Sequence, residues 1–337
     1  MKLTHIPSLH LYLNYGSTNL AHYWWNWLYG SHIADLFLTN SKEIVIYDSL
    51  HQGLESRIEY LRKKHKIDIP LVIADIRDTV KFEEVLTAYK PHGVIHTAAL
   101  KAVGESMEKP DEYFDVNFHA TTKMLESLKK HNIHNLIFSS TAAVYGSPEH
   151  SNPCKEDDVK NPISPYGASK LAAEGEVNKF LAIPGNQGTS LRFFNVIGTA
   201  APELMDSSVE NLVPIVINKL KAGQPPVIFG TDYPTPDGTC IRDYVDVRDV
   251  ASAHLVAADS ATLPAVMNVG TGRGASVREV IKLVCEAAAL NDVIAIEAER
   301  RSGDPAFLCA DVTLINKEIG FISEHSLEAS VKSLFSI

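Results

Sequence analysis

From about residue 43 the chain alternates short apolar runs with longer stretches in which apolar residues recur every three or four positions. Short β-branched or aromatic runs read as buried strands, and the periodic stretches between them as helices. The expected strands are Glu43–Tyr47, Leu71–Ala74, Gly93–Thr97, Asn135–Ser139 and Thr189–Phe193. The expected helices are Gly30–Thr39, Leu54–Lys64, Val80–Tyr89, Asn117–His131 and Tyr166–Phe180. Continuously apolar strands need cover on both faces, so this rhythm predicts an α/β fold, a Rossmann-like doubly wound parallel sheet. After Asn195 the pattern becomes mixed and is broken by Pro and Gly, as in PPVIFG and DYPTPDG. A smaller C-terminal region is expected there.

Composition narrows the class. The 337 residues are 45% hydrophobic and 21% charged, enough for one large α/β unit or two smaller ones. A formal net charge of −10 leaves no excess of Lys and Arg to neutralise a phosphate backbone, which argues against a nucleic-acid partner. Cys154, Cys240, Cys285 and Cys309 stand far apart, with no CxxC spacing or His cluster, so no metal site is expected and a reducing compartment is. No stretch approaches ~18 consecutive apolar residues, and the N-terminus lacks a signal-peptide pattern, so no membrane association is expected.

In open α/β sheets ligands bind outside the carboxyl ends of the strands, and the segments with the most chemistry lie there. Tyr166 and Lys170, in SPYGASKLAAE, are four residues apart and share one helix face. A phenol with a pKa of about 10 becomes a useful base at neutral pH only beside a cation, and Lys170 can supply that charge. FSSTAAVYG brings Ser139, Ser140 and Thr141 to a strand end, where a hydroxyl can share a hydrogen bond with the oxygen that Tyr166 deprotonates.

Together these two segments resemble the Ser/Thr, Tyr and Lys trio of the short-chain dehydrogenases. HTAALKAVGES at 96–106, LRFFNVIG at 191–198 and IFGTDYPTPDGTCIRDYVDVRDVASAH at 228–254 are similar to the sugar-nucleotide epimerases of the extended branch of that family, above all the UDP-glucose 4-epimerases. MNVGTGRGASVREV at 267–280 and ERRSGDPAFLCAD at 299–311 extend the likeness, which runs from Gly30 to the C-terminus. The resemblance implies an NAD-binding Rossmann-like domain over 1–195 and a UDP-sugar-binding region over 196–337, with part of 240–270 returning to the first domain. It implies Tyr166 as base, Lys170 as its electrostatic partner on the nicotinamide ribose, and Thr141 on the reacting hydroxyl. Gly30, Asp48, Asp75, Ile76, Lys101 and Asn117 would meet NAD, with Asp48 on the adenosine ribose; an acid about 20 residues past a glycine turn fits that independently. Asn195, Asn211, Leu212, Arg242, Arg301 and Asp304 would hold the UDP-sugar, the arginines on phosphate oxygens. By itself Asn211 also reads as a helix cap and Arg301 as a solvated charge.

The implied reaction interconverts UDP-glucose and UDP-galactose through a 4-keto sugar, in a cytoplasmic homodimer paired through helices around Asn117 and Tyr166. Dehydratase chemistry on this scaffold needs an acid after Thr141, where the chain has Ala142 and Ala143. N-acetylated or pentose substrates are the closer alternative. Leu308, at the position that gates the sugar's 2-substituent, is bulkier than the residues that admit an acetamido group. A non-catalytic homologue unable to hold NAD is the alternative from another class.

One segment departs from the family. Where its members read GGTGYIGSH, this chain reads YWWNWLYGSH, and Trp24, Trp25 and Trp27 replace glycines that let the backbone approach a pyrophosphate. Tryptophan has the single codon TGG, which read one nucleotide later always begins a glycine codon. YWWNWLY shifted in this way can encode TGGTGY in register with Gly30. The expectation is that the residues before Gly30 come from a frameshift or a misjoined exon.

Overall fold

The structure, a computed structural model, describes residues 20–24, 27–50, 55–148, 152–206, 211–301 and 303–335, with the side chains of the first segment and of 27 and 28 undescribed. Its centre is a seven-stranded parallel sheet. The strands of the first half are β1 (Leu20–Trp24), β2 (Ile44–Asp48), β3 (Leu71–Ile73), β4 (Gly93–His96), β5 (Asn135–Thr141) and β6 (Gln187–Phe193). Those of the second half are β7 (Asn195–Ile197), β8 (Val227–Phe229), β9 (Ile241–Asp246), β10 (Val266–Val269), β11 (Gly274–Ser276), β12 (Ile296–Ala298) and β13 (Phe307–Leu308). The large sheet runs β10-β6-β5-β4-β1-β2-β3, so its strand order reverses between β1 and β4. β2 and β4 are buried along their whole length, which is why their sequences are continuously apolar.

The helices are α1 (Trp27–Thr39), α2 (Glu55–His65), α3 (Thr79–Tyr89), α4 (Val103–Glu108), α5 (Pro110–Phe114), α6 (Ala120–Lys130), α7 (Pro165–Leu181), α8 (Leu212–Lys221), α9 (Val247–Asp259), α10 (Val277–Ala287), α11 (Thr313–Ile319) and α12 (Leu327–Ser333). On one face of the sheet, Ile33 and Phe37 of α1, Ile58 of α2, Val250 of α9 and Ile315 of α11 form a single apolar cluster with Ile46, Ile95 and Ile137. On the other, Phe82 of α3, Tyr113 of α5, Met124 of α6 and Phe180 of α7 pack on Val45, Val94 and Phe138. Adjacent residues of one strand, such as Val45 and Ile46, thus feed opposite clusters, as the two-residue period of a strand requires. A third cluster, built from Val213 and Val216 of α8, Val280 and Val284 of α10 and Val331 of α12, is the core of the second half.

The expected α/β doubly wound sheet is present, and the differences are local. α1 begins at Trp27, three residues before the expected Gly30, and β5 runs on to Thr141 rather than ending at Ser139. The expected helix Asn117–His131 is two elements: a π-helical turn, Asp115–His119, then α6. Asn117 lies in this turn, and its buried amide accepts from Leu100 N at 2.8 Å and donates to Leu100 O at 2.9 Å. Leu54, the expected start of α2, lies outside the described residues, as does Trp25.

Phe37 is fully buried between α1 and the sheet. Phe37→Ala should lower unfolding stability by about 3–5 kcal/mol, read from denaturant titration, with a native far-ultraviolet spectrum before the transition.

Candidate active site

A cleft of about 570 Å³ opens at the carboxyl ends of β5 and β6 and runs under the second half of the chain. Thr141 and Tyr166 form its floor. They meet because Ser164 caps α7, its Oγ accepting from Gly167 N at 3.2 Å, and Pro165 opens the first turn with a fixed φ. Gly167 then lets the helix lie against the turn Ala142–Val144: a Cβ there would sit 2.6 Å from Ala143 O. The result sets the Thr141 hydroxyl close enough to the Tyr166 phenol to act on its proton affinity. Ser139 and Ser140, placed in the same cluster by the sequence, turn elsewhere. Ser139 Oγ pairs with His254 Nε2 at 3.2 Å and Ser140 Oγ donates to Glu174.

Burial dominates the electrostatics of the pair. It raises the Tyr166 phenol above its ordinary value, and the Thr141 hydroxyl opposes the shift. Lys170 is itself buried, and desolvation pushes its ammonium down to about 7 while Glu174, one turn further on, opposes the shift. Its Nζ rests 4.1 Å from the centre of the Phe138 ring. Two neighbouring groups on one helix face, each displaced by burial towards its neutral form, are a pattern that recurs at functional sites.

The cleft also gathers Lys101, Asn195, Asn211 and Leu212, together with Arg242, Arg301 and Asp304. Lys101 is presented by a clamped loop: Asn117 holds Leu100 on one side of it, and Tyr113 Oη donates to Ala102 O at 2.8 Å on the other. Asn117 spends its second amide hydrogen on Ser169 Oγ at 3.1 Å, so it acts as a clamp between this loop and α7. Arg242 is buried, with Nη2 3.5 Å from Asp304 Oδ1 and Nη1 donating to Ile241 O at 2.9 Å. Asn211 stands at the N-cap of α8 without making a side-chain cap bond and donates instead to Asp206 Oδ2 at 2.6 Å. Arg301 is no simple solvated charge, because its guanidinium lies 4.1 Å from the Phe229 ring centre. Phe229, at the end of β8, is a cleft residue the sequence reading missed; the only signal was an aromatic closing the run before Gly230. Leu308 also lines the cleft.

Gly30, Asp48, Asp75, Ile76, Asn117 and Lys170 do not line this cleft. Gly30 is buried within α1, and Asp48 ends β2 in register with Trp24 of β1, where the strand order reverses. Asp48 is 2% exposed; Oδ1 accepts from Leu50 N at 2.6 Å, and Oδ2 is buried with no hydrogen-bond partner among the described residues. Desolvation raises its carboxyl to about 7, the Leu50 amide opposing. An orphaned carboxylate oxygen at a switch point fits a ribose diol, which would bring two hydroxyl donors. Asp75 is held by Arg77 at 2.8 Å and half-buried, and the Ile76 side chain is in the core, so these two offer an adenine mainly backbone and an apolar edge. At its ribose and nicotinamide ends the described residues therefore fit a dinucleotide. Trp24 closes β1 and Trp27 opens α1, where the resemblance expects glycines.

A parallel sheet with an acid at its switch point and a Thr, Tyr and Lys set on the neighbouring strand and helix defines a short-chain dehydrogenase-type enzyme. The chain belongs to the NAD dependent epimerase/dehydratase family, whose model matches residues 28–270. It is 36% identical over 301 residues to a UDP-glucose 4-epimerase of Corynebacterium glutamicum, covering 88% of each chain. To a UDP-glucose 4-epimerase of Azospirillum brasilense it is 37% identical over 317 residues, 91% of this chain and 88% of that one. Among solved structures it is similar to UDP-glucose-4-epimerase from Stenotrophomonas maltophila with bound NAD and formylated UDP-arabinopyranose, with a TM-score of 0.88 at 32% identity over 94% of this chain and 97% of that one.

Because burial raises Asp48, its carboxyl contributes stability below its unfolded value of about 3.9 that is lost as pH rises through about 7. Asp48→Asn should therefore leave stability unchanged near pH 3 and raise it by a few kcal/mol above pH 7 in protein stripped of dinucleotide, by denaturant unfolding across pH. The same variant should bind NAD at least tenfold more weakly by calorimetry.

Proposed function

We propose that this chain interconverts UDP-glucose and UDP-galactose by transient oxidation at C4 of the sugar, with NAD bound along the strand ends of residues 1–195 and the UDP-sugar held largely by 196–337. The observation that carries the reading is the placement of Thr141 beside Tyr166 in a cleft that Arg242 and Arg301 also line. The names and bound ligands of the relatives support it.

Bound NAD supplies a reversible two-electron acceptor beside C4. Thr141 orients the C4 hydroxyl, and Tyr166 takes its proton and returns it to the same oxygen. Lys170, with a proton affinity poised near neutrality, supplies the charge that favours the phenolate when it is protonated. Arg242, steadied by Asp304, and Arg301, steadied by Phe229, grip the diphosphate, so the sugar alone is free to turn between the two half-reactions. Asn195, Asn211 and Leu212 border the space in which it turns. Ala142 and Ala143 carry no acid, so nothing beside Thr141 drives elimination.

The cytoplasmic homodimer belongs to the same proposal; buried, free Cys154, Cys240, Cys285 and Cys309 suit a reducing compartment. So does the out-of-frame origin of the segment before Gly30, since restoring GGTGYIG would return the close backbone approach a diphosphate needs.

In a coupled assay for UDP-galactose conversion, Tyr166→Phe should reduce kcat at least about a thousandfold with KM little changed, because the proton carrier is lost and the binding wall is not. Full activity in that variant would remove the reading. The form with GGTGYIG restored should retain more NAD through purification than the chain as written; equal retention removes the out-of-frame account. Leu308→Gly should raise kcat/KM for UDP-N-acetylglucosamine relative to UDP-glucose by about tenfold or more, as expected for clearing one side chain from a pocket.

A further inference from the structure

Behind the floor of the cleft lies a buried ionic group that the reaction as described does not use. Glu174 and Arg192 form a two-pronged ion pair, with Nε to Oε1 at 2.9 Å and Nη2 to Oε2 at 2.7 Å, both side chains 3% exposed. Ser140 Oγ donates to the same carboxylate. Arg192 Nη1 donates to Tyr145 Oη at 2.9 Å and to Glu156 O at 3.0 Å, and Tyr145 Oη donates to Asn268 Oδ1 at 2.7 Å. A buried pair of this kind stabilises little against an apolar replacement of equal shape, so its presence asks for another reason.

Its location supplies one. Glu174 sits one turn beyond Lys170 and two beyond Tyr166 on α7, Ser140 immediately precedes Thr141 on β5, and Arg192 is two residues before the cleft residue Phe194 on β6. The titratable and charged groups around Lys170 are Tyr166 and Glu174 from its own helix, His96 from β4, and Arg192 from β6 beyond Glu174; Phe138 of β5 faces it with a ring. His96 is buried and held neutral by burial and by Lys170's charge, leaving Glu174 as the carboxylate that favours the ammonium.

We propose that Glu174 is a positioning residue for the epimerisation: anchored by Ser140 and Arg192, it holds the helix of Tyr166 and Lys170 against the strand end of Thr141 and keeps the Lys170 ammonium protonated. The two effects are separable because one needs the hydrogen bonds and the other needs the charge. The inference rests on the proposed reaction only for its kinetic arm.

The test is a titration of Lys170 by carbon-13 NMR of lysine side chains in the full-length protein, with Lys170→Met assigning the resonance, alongside kcat against pH. Glu174→Gln should weaken the proton affinity of Lys170 about tenfold and move the alkaline limb of kcat to lower pH by the same factor, with KM unchanged. If Glu174→Gln misfolds because Arg192 is left unpaired, the double variant Glu174→Gln with Arg192→Met removes both buried charges and should still weaken Lys170 protonation severalfold. Ser140→Ala, which loosens the anchor and keeps the charge, should lower kcat severalfold with the Lys170 titration unmoved. An unmoved Lys170 in the Glu174 variants overturns the inference, and so does full activity of Ser140→Ala. Lys170 shifting as stated in protein that converts no UDP-galactose would uphold the charge role and sink the proposed reaction instead.

Discussion

The site depends on how closely one helix can approach the end of one strand. α7 reaches the turn after Thr141 because Gly167 presents no Cβ to Ala143 O, and because Ser164 and Pro165 fix where its first turn begins. A larger residue at 167 would push α7 away from that turn, and Tyr166 away from Thr141 with it. Other contacts hold the same helix in place. Asn117 clamps α7 to the loop of Lys101, and Glu174 with Arg192 ties its far side to β6. The local rules of helix capping thus set where Tyr166 stands.

Burial is the common cause of the site's electrostatics. Asp48, Tyr166 and Lys170 are each displaced towards their neutral forms by desolvation. Folding alone does not recover the cost of removing these groups from water. That pattern distinguishes them from the molecule's structural charges. Asp246 is also deeply buried, yet Arg248 at 2.7 Å answers its desolvation and holds its carboxyl below the ordinary value. At Lys170, which lies in an apolar wall against Phe138, the Glu174 carboxylate opposes the same desolvation.

Much of this was legible in the chain because the fold's signals are local. Continuously apolar strands such as IVIYD, helices with caps such as Ser164, and a tyrosine and lysine one turn apart are written in neighbouring residues. What was not legible came from partners far apart in sequence. Ser140 and Glu174 are 34 residues apart and Tyr145 and Asn268 are 123 apart, and neither spacing nor composition announces them. Phe229 becomes a cleft residue only when β8 pairs with β12 and brings it under Arg301. The π-helical turn at Asp115–His119 was not legible either; its Asn117 bonds the backbone of Leu100, 17 residues away. Helical spacing places Lys170 one turn from Tyr166 and says nothing of the desolvation that displaces both groups.

The segment before Gly30 separates two kinds of sequence requirement. Leu20–Trp24 is an interior strand of the sheet, paired with β2 on one side and β4 on the other. Strand pairing is made by backbone groups, so many apolar segments can fill a gap that would leave the inner edges of two strands without hydrogen-bond partners. The turn from β1 into α1 is different, because close approach of a diphosphate to backbone N–H groups needs positions without side chains. A chain can therefore keep the sheet with LAHYW as one of its interior strands while Trp24, Trp25 and Trp27 stand where the family has glycine. Fold and dinucleotide grip are set by different residues even where those residues are neighbours, so a lesion in the turn would spare the architecture that positions Thr141, Tyr166 and Lys170.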